Sequence, residues 1–285
     1  MDEMAVRKPP TVRLRRLAHE MTRAREGAGL TREQAAERVR MDPSSLWRLE
    51  TAKNRPLKRT VLVLLDLYGI TKTEDQARYL ELLAKSNELG WLESYEDSLA
   101  ESYQAYIHFE AGASEFRSFQ NAFVPGLLQT PEYARAVVRG VHPTLDEAIV
   151  EQRAEVRARR QDTLAQRGVT LWMAIDEAVM HRTVGGQEVM RAQMQVLVDA
   201  VESKRAVVQI VPFSAGAHPG SQGAFTVLDF PAPDPALVYI EALASNLFIE
   251  EPDEVRAYQA NFLHLVALSL SPSESLKMIK SATKA

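Results

Sequence analysis

The stretch TREQAAERVRMDPSSLWRLET, which runs from Thr31 to Thr51, decides how the first part of this chain folds. Thr31 followed by Gln34 is a capping box, in which each side chain bonds the backbone N–H of the other residue at a helix start. Asp42 followed by Pro43 marks a second start, because Asp is a favoured N-cap and Pro a favoured first helical residue. The stretch therefore predicts two short helices joined by a short turn.

Two short helices joined at Arg40-Met41 form the helix-turn-helix geometry, in which the second helix enters the major groove of DNA. Arg48 suits a bidentate contact with guanine. The predicted base contacts, with Thr51 on the same face, are Pro43, Ser44, Trp47 and Arg48. The predicted phosphate contacts are Arg32, Lys53, Arg55, Lys58 and Arg59.

The charge is divided unevenly along the chain, whose net charge is −4. Residues 1–60 hold 15 of the 34 basic and 8 of the 38 acidic residues, a net of +7, which leaves −11 for the remainder. A basic N-terminal region on an acidic body confines contact with a polyanion to that region. We therefore expect DNA to bind at the N-terminal end.

Helical spacing of apolar residues extends beyond these two helices. It predicts five helices: residues 11–30, residues 31–39, a third that starts at Asp42-Pro43 and carries Leu46 and Leu49 inward, residues 58–68 and residues 73–87. They define an N-terminal domain, residues 1–90, built as a helix-turn-helix bundle. A plain five-helix bundle with a solvated basic face is the alternative.

This region resembles a known family. The matching residues are Gly29-Leu30-Thr31, Ala35-Ala36, Ser44-x-x-x-Arg48-Leu49-Glu50-Thr51 and Leu67-Tyr68-Gly69-Ile70. Together they are similar to the Xre type of phage-repressor-like helix-turn-helix. The chain differs from that type at Trp47, where a small polar residue is common, and at Ala52, where Gly is common. The resemblance implies a transcriptional regulator that binds double-stranded DNA, and a dimer on an inverted repeat is expected because such folds read symmetric half-sites.

Residues 91–285 are predicted to form a larger α+β domain, so the chain as a whole is mainly α. Strands are predicted at 116–124, 169–175, 206–212, 224–230, 236–242 and 247–250, in a mixed or antiparallel sheet. Helices are predicted at 99–110, after Thr130-Pro131, after a Thr144-x-x-Glu147 cap, at 187–202 and at 252–270. Arg153, Arg157 and Arg160 share helical spacing and are interpreted as a solvated stripe paired with Glu residues.

The run Val124–Ala134 (VPGLLQTPEYA) is a long and unusual string. It is similar to the signature of a C-terminal domain behind Xre-type heads in actinobacterial regulators of the antitoxin-like and WhiJ-like group. That resemblance implies a small protein partner encoded nearby. The candidate partner or ligand residues are Gln129, Glu132, Arg135 and His218. The alternatives are that Val124–Ala134 only seals the core, or that the protein mainly sequesters its partner and regulates its own operon.

Enzymatic signals are weak. Glu177 and Glu241 could pair, joined by His181 and His218, but no metalloprotease, phosphate-loop, dinucleotide-binding or serine-hydrolase motif is present. A satisfied His on a helix face is the simpler interpretation. We expect no enzyme activity, no metal and no cofactor.

Composition fits a soluble globular protein, with 46% hydrophobic and 25% charged residues and no Cys. The absence of Cys excludes disulfides and suits a reducing cytoplasm. The segment Met1–Pro10 is polar and lacks an apolar run, so no secretory signal is expected, and no apolar run is long enough to span a membrane. A cytoplasmic protein, associated with the nucleoid when bound to DNA, is the expectation.

Overall fold

The structure is a computed structural model that describes residues 12–85, 89–232, 234–242 and 246–283. Within these ranges the chain forms two compact units. The first unit comprises the chain up to Glu96 together with Ala100–Gly112, and the second comprises Asp97–Leu99 together with the chain from Ala113 onward. The expectation for Met1–Pro10 lies outside the described residues.

The first unit is helical. Its helices are α1 (Val12–Gly27), α2 (Arg32–Arg38), α3 (Pro43–Glu50), α4 (Lys58–Leu67), α5 (Thr73–Lys85) and α6 (Glu101–Gly112), with a 3-10 helix at Gly90–Ser98. The predicted end of the fifth helix at Asn87 lies outside the described residues. The helical N-terminal fold predicted from the sequence is confirmed.

The core of the first unit comes from apolar side chains at helical spacing. In the core cluster formed by α1 to α5, the largest fully buried side chains are Leu17, Met21, Leu46, Leu64 and Leu65. Each buried side chain of this size contributes about 2 kcal/mol by leaving water. This core packs α3 against α1 and α2, which support α3 from its inner face.

The second unit combines a sheet with helices. Its strands are β1 (Glu115–Gln120), β2 (Thr170–Asp176), β3 (Ala206–Val211), β4 (Phe225–Asp229), β5 (Leu237–Glu241) and β6 (Asn246–Ile249). Its helices are α7 (Pro131–Val141), α8 (Glu147–Arg167), α9 (Ala178–His181), α10 (Gln187–Glu202), α11 (Pro252–Leu268) and α12 (Pro272–Ala282). Short 3-10 helices lie at Gly126–Leu128, Phe213–Ala215 and Pro219–Gln222.

The sheet of the described residues has the order β3-β2-β1-β4-β5-β6 and is mixed, as predicted. The strands β1, β2 and β3 are parallel, whereas β4, β5 and β6 follow in antiparallel pairs. The crossovers between the parallel strands contain helices, which is what parallel pairing requires. One face of the sheet packs against α11, where Phe262 and Leu265 are fully buried.

The outer edge of β3 is bonded to the segment that begins α12. The Leu270 N–H donates to the Ile210 carbonyl at 2.8 Å, and the Ile210 N–H donates to Ser275 Oγ at 3.0 Å. An exposed strand edge would offer these groups to another chain. The segment around Leu270 and Ser275 therefore closes this edge, a role that the sequence did not predict.

Three sequence predictions about these elements need correction. The cap of α8 is Asp146, whose Oδ1 accepts the Ala148 N–H at 2.9 Å, and not Thr144, because the helix begins at Glu147. The first strand ends at Gln120 and does not continue to Val124. The end of the last predicted helix is also wrong, because α11 ends at Leu268 and α12 follows as a separate helix.

Candidate nucleic-acid interface

The α2-turn-α3 segment is held by the caps that the sequence contains. Gln34 N–H donates to Thr31 Oγ1 at 3.2 Å and Thr31 N–H donates to Gln34 Oε1 at 3.0 Å, which completes the capping box. Asp42 Oδ1 accepts the Ser44 N–H at 2.9 Å and also bonds the Ser44 hydroxyl. These bonds, the hydroxyl first, lower the pKa of Asp42 and keep it charged at the start of α3.

Each of the two short helices is followed, two residues after its end, by a residue in the left-handed backbone conformation. Arg40 has φ +54°, and the next N–H, from Met41, reaches back to the Ala36 carbonyl at 2.8 Å. Ala52 also has φ +54°, and the Lys53 N–H bonds the carbonyl of the last turn of α3 at 2.7 Å. This is the hydrogen-bond pattern of a Schellman cap, for which Gly is preferred. The position where the Xre type commonly has Gly is thus a left-handed position here too.

A buried ionic network fixes α3 to its neighbours. Arg25 Nε donates to Glu50 Oε1 at 2.6 Å, and Arg32 Nε donates to Glu50 Oε2 at 2.9 Å. The Glu50 side chain is only 2% exposed. Burial acts against the charge on Arg25, but the hydrogen bond and the charge of Glu50 outweigh it and raise the pKa of Arg25. Arg25 also bonds the Leu30 carbonyl, so α1, α2 and α3 meet at this network. The sequence analysis did not predict the network, although Glu50 lies in the quoted motif.

The outer face of α3 carries the predicted base contacts. Pro43, Ser44 and Trp47 are exposed. Arg48 is half-buried and its Nη2 donates to Ser45 Oγ at 2.8 Å, so its guanidinium group lies along the helix. No DNA is present, and the assignment of these residues as base contacts stays a prediction.

The predicted phosphate contacts differ in how exposed they are and in which hydrogen bonds they make within the protein. Lys53, Lys58 and Arg59 are exposed. Arg32 uses Nε for Glu50, so only its Nη groups could reach a phosphate. Arg55 Nη2 donates to the Leu83 carbonyl at 3.0 Å, which ties its side chain to α5. Among these five residues, Lys58 and Arg59 are therefore the ones whose side chains are least engaged in contacts within the protein.

In the second unit, the Val124–Ala134 run is hydrogen-bonded by two amide side chains, the buried Gln193 and the half-buried Gln161. Gln193, fully buried on α10, donates to the Leu128 carbonyl at 2.6 Å and accepts the Thr130 N–H at 2.8 Å. Gln161 on α8 donates to the Gly126 and Gln129 carbonyls. These bonds satisfy the backbone of an irregular segment that is itself buried. The sequence analysis missed both amides, because a polar residue on a helix reads as exposed.

Gln129, one of the candidate partner or ligand residues, is buried and does not lie at the surface. Its side chain is 6% exposed and its Nε2 donates to the Val124 carbonyl at 2.7 Å. Glu132 and Arg135 do lie at the surface, where Arg135 bonds Glu132 and Glu151. These two residues remain open to a partner, whereas Gln129 acts inside the fold.

The side chain of His218 is buried and packs against the sheet. Its side chain is 7% exposed, its Nε2 is 3.5 Å from Asp176 Oδ2, and its ring packs edge-on against Phe119. Gly220 follows at a position where any Cβ would collide with the Phe119 ring, at 2.3 Å. The part of the loop from His218 to Gly220 therefore packs tightly against the sheet.

The prediction that Arg153, Arg157 and Arg160 of α8 form a solvated stripe is wrong, because none of the three side chains is exposed. Arg160 is buried, Arg157 donates to the Ala134 carbonyl at 3.2 Å, and Arg153 donates to the Ser98 carbonyl at 3.3 Å. Their helical spacing was predicted correctly, and it places Arg153 and Arg157 against backbone carbonyls.

The groups considered for enzyme chemistry have other contacts. Glu177 Oε2 accepts the Phe213 N–H at 2.7 Å, and its Oε1 lies 3.4 Å from His181 Nε2 on the same helical face. Among the described residues, no cluster of three or more His, Asp or Glu side chains could hold a metal ion. None of the helices in the described ranges is long and apolar enough to cross a membrane.

Comparison with known families defines the chain in two parts. Residues 16–78 match a helix-turn-helix domain, which suggests a DNA-binding regulator. Residues 103–281 match a domain of unknown function, DUF5753, and the chain belongs to this family. No curated protein and no solved structure matched the chain. The domain boundary at residue 90 stays a prediction.

Proposed function

We propose that the protein is a sequence-specific DNA-binding transcriptional regulator of Xre type, which reads DNA with the outer face of α3. The observation that carries this proposal is the exposed face of Pro43, Ser44 and Trp47 on a helix anchored by a buried ionic network. Rigid placement of a short helix is what base readout in the major groove requires. The proposal assigns no enzymatic activity and no cofactor.

The contacts divide into two kinds. Pro43, Ser44, Trp47 and Arg48 belong to base readout, and Arg48 would swing from Ser45 to a guanine edge. Lys58 and Arg59, with Lys53, Arg32 Nη and Arg55, belong to phosphate contacts, which position the protein on DNA. The net charge of +7 over residues 1–60 supports this division.

The proposed assembly is a homodimer on an inverted repeat. A single α3 covers only a few base pairs, and two-fold symmetric repressors gain affinity by placing two such helices in successive major grooves. Light scattering at the concentration that saturates specific DNA should give the mass of two chains. A single-chain mass under those conditions would contradict the dimer.

The second unit is proposed to respond to a small protein partner or ligand, as in the antitoxin-like and WhiJ-like group. The exposed Glu132 and the half-buried Arg135 on α7 are the proposed contact, in a protein that works in the cytoplasm at the nucleoid. A partner can control DNA binding only if it binds the DNA-competent and DNA-incompetent states with different affinity. Partner sequestration as the main task, the antitoxin-like alternative, would leave operator binding unchanged when the partner is added.

The test is selection of bound DNA from a random pool by the full chain, followed by sequencing. We expect an enriched inverted repeat. Arg48→Ala should then lose about tenfold to a hundredfold affinity for the enriched site, with weaker discrimination at one base position and random DNA bound as before. Failure of the wild-type chain to enrich any sequence would refute the proposal.

A further inference from the structure

Trp47 is an unusual residue for the outer face of α3. Its side chain lies where the Xre type commonly has a small polar residue, and it is 38% exposed. Among the described residues no group accepts a hydrogen bond from its indole Nε1–H. A large ring with an unused donor on this face is available to whatever α3 binds.

Lys53 covers one face of the ring. Its Nζ lies 4.1 Å from the ring centroid, within the range of a cation–π contact. The Lys53 N–H bond to the Arg48 carbonyl, at 2.7 Å, turns the chain back at the end of α3 and brings this side chain over the indole. The Thr51 hydroxyl also bonds the Trp47 carbonyl, at 2.7 Å. The Lys53 ammonium group is thus in contact with the ring before the ring meets DNA.

The chemistry of the indole selects among the base edges of the major groove. The indole offers one N–H donor, no acceptor and a broad apolar surface. Cytosine presents a donor, guanine presents two acceptors without an apolar group, and adenine presents an acceptor beside a donor. Thymine alone presents an acceptor, O4, next to an apolar group, its 5-methyl. Thymine is therefore the base whose edge complements the indole in both respects.

We infer that Trp47 reads a thymine in each half-site, with its ring against the 5-methyl group and its Nε1–H directed to O4, while Lys53 holds the ring and meets the neighbouring phosphate. This inference deepens the proposed function and rests on it. It specifies which base Trp47 contacts, thymine, and which group of that base the ring packs against, the 5-methyl group.

The test uses the full chain and the DNA sequence that the wild-type chain enriches. Each thymine of a half-site is replaced in turn by uracil, which removes only the 5-methyl group. At one position the wild-type chain should lose about threefold to fivefold affinity, the value of one buried methyl group. Trp47→Ala should bind the thymine and uracil versions of that position equally well. Trp47→Phe should keep the discrimination, because a phenyl ring still contacts the methyl group.

Arg48→Ala is the matched control on the same helix face, and it should keep the wild-type ratio of thymine to uracil at that position. Trp47 is exposed, so Trp47→Ala should stay folded, as circular dichroism would verify. Enrichment of no sequence would refute the proposed function itself. Enrichment with no uracil-sensitive position, or with the same ratio in Trp47→Ala as in the wild type, would overturn this inference alone.

Discussion

Glu50 shows how much one residue of the helix-turn-helix determines. Its carboxylate is the common acceptor of Arg25 and Arg32, and so it joins two helices to α3. Removing one member of a buried ionic group leaves the remaining charge without a partner, which costs more than the group contributes as a whole. The position of α3, and with it the base-reading face, depends on this carboxylate.

We expect Glu50→Ala to lower the stability of the first unit by about 3 kcal/mol, because the buried Arg25 loses its buried carboxylate partner and keeps only the exposed Glu26 and the Leu30 carbonyl. Urea unfolding followed by circular dichroism would measure the change. Glu147→Ala is the matched control: Glu147 also pairs with an arginine, Arg139, but both side chains are exposed, so its midpoint should scarcely move. Equal shifts in the two variants would contradict the role given to burial.

At the residue scale, sequence reasoning identified residue types better than their surroundings. The spacing of Arg157 and Arg160 was clear, yet spacing cannot tell a solvated arginine from one that bonds a carbonyl. The same holds for Gln129, whose burial depends on segments more than 30 residues away, such as the α8 side chain Gln161. The outward face of α3 was predictable, because a cap and an apolar pair, Leu46 and Leu49, fix it locally.

At the scale of elements, the start of α3 depends on the charge of its cap. Asp42→Asn keeps an oxygen acceptor but removes the negative charge that favours a helix N-terminus. The folded-state pKa of Asp42 is lowered, chiefly by the Ser44 hydroxyl, so its contribution is present above the unfolded pKa of about 3.9 and is lost as pH falls through the folded value.

The wild-type chain should therefore exceed Asp42→Asn in urea midpoint at pH 6, and the gap should close as the pH falls from the unfolded pKa through the lowered folded pKa of Asp42. The other titrating groups contribute equally to the midpoints of the two proteins, so their effect is absent from the difference. A gap that stays the same size as the pH falls would mean that the charge of Asp42 has no part in capping α3.

The Val124–Ala134 run is an irregular segment that is stabilised by side chains of the helices α8 and α10. Gln193→Ala should destabilise the second unit by about 3 kcal/mol, because the Leu128 carbonyl and the Thr130 N–H both lose their buried partner. Gln195→Ala on the same helix is the control, since Gln195 is exposed and bonds only Asp199 within α10. Thermal unfolding should separate the two variants clearly, and similar melting temperatures would argue against this account of the run.

Element types were predictable where periodicity was strong, and all six strands of the described sheet correspond to predicted ones. Boundaries were less predictable. Thr144 and Asp146 are both good caps, and only the observed start of α8 decides between them. The separation of α11 from α12 at Ser269 was missed, although Ser271-Pro272 has the same cap pattern as Asp42-Pro43. Strand order also depends on contacts between distant segments, which a local pattern does not contain.

For the whole molecule, the uneven division of charge predicts which basic residues make DNA affinity depend on salt concentration. Lys58→Ala should reduce the slope of log affinity against log salt by about one and weaken binding to all DNA sequences alike, as expected for one lost phosphate contact. Lys204→Ala, an exposed lysine of the acidic second unit, should leave the slope unchanged. Filter binding at several salt concentrations would measure both, and an equal effect of the two substitutions would place DNA on both units.

The closure of the β3 edge by Leu270 and Ser275 has a consequence for protein synthesis. A ribosome releases β1, β2 and β3 well before it releases the segment that satisfies the outer groups of Ile210. During this interval the nascent sheet presents an incomplete border, which is the kind of surface that chaperones recognise and that aggregation exploits. The helical first unit, made earlier and from contacts close in sequence, does not share this delay. Truncation at residue 268 should therefore turn the second unit into a chaperone client and leave the helix-turn-helix folded.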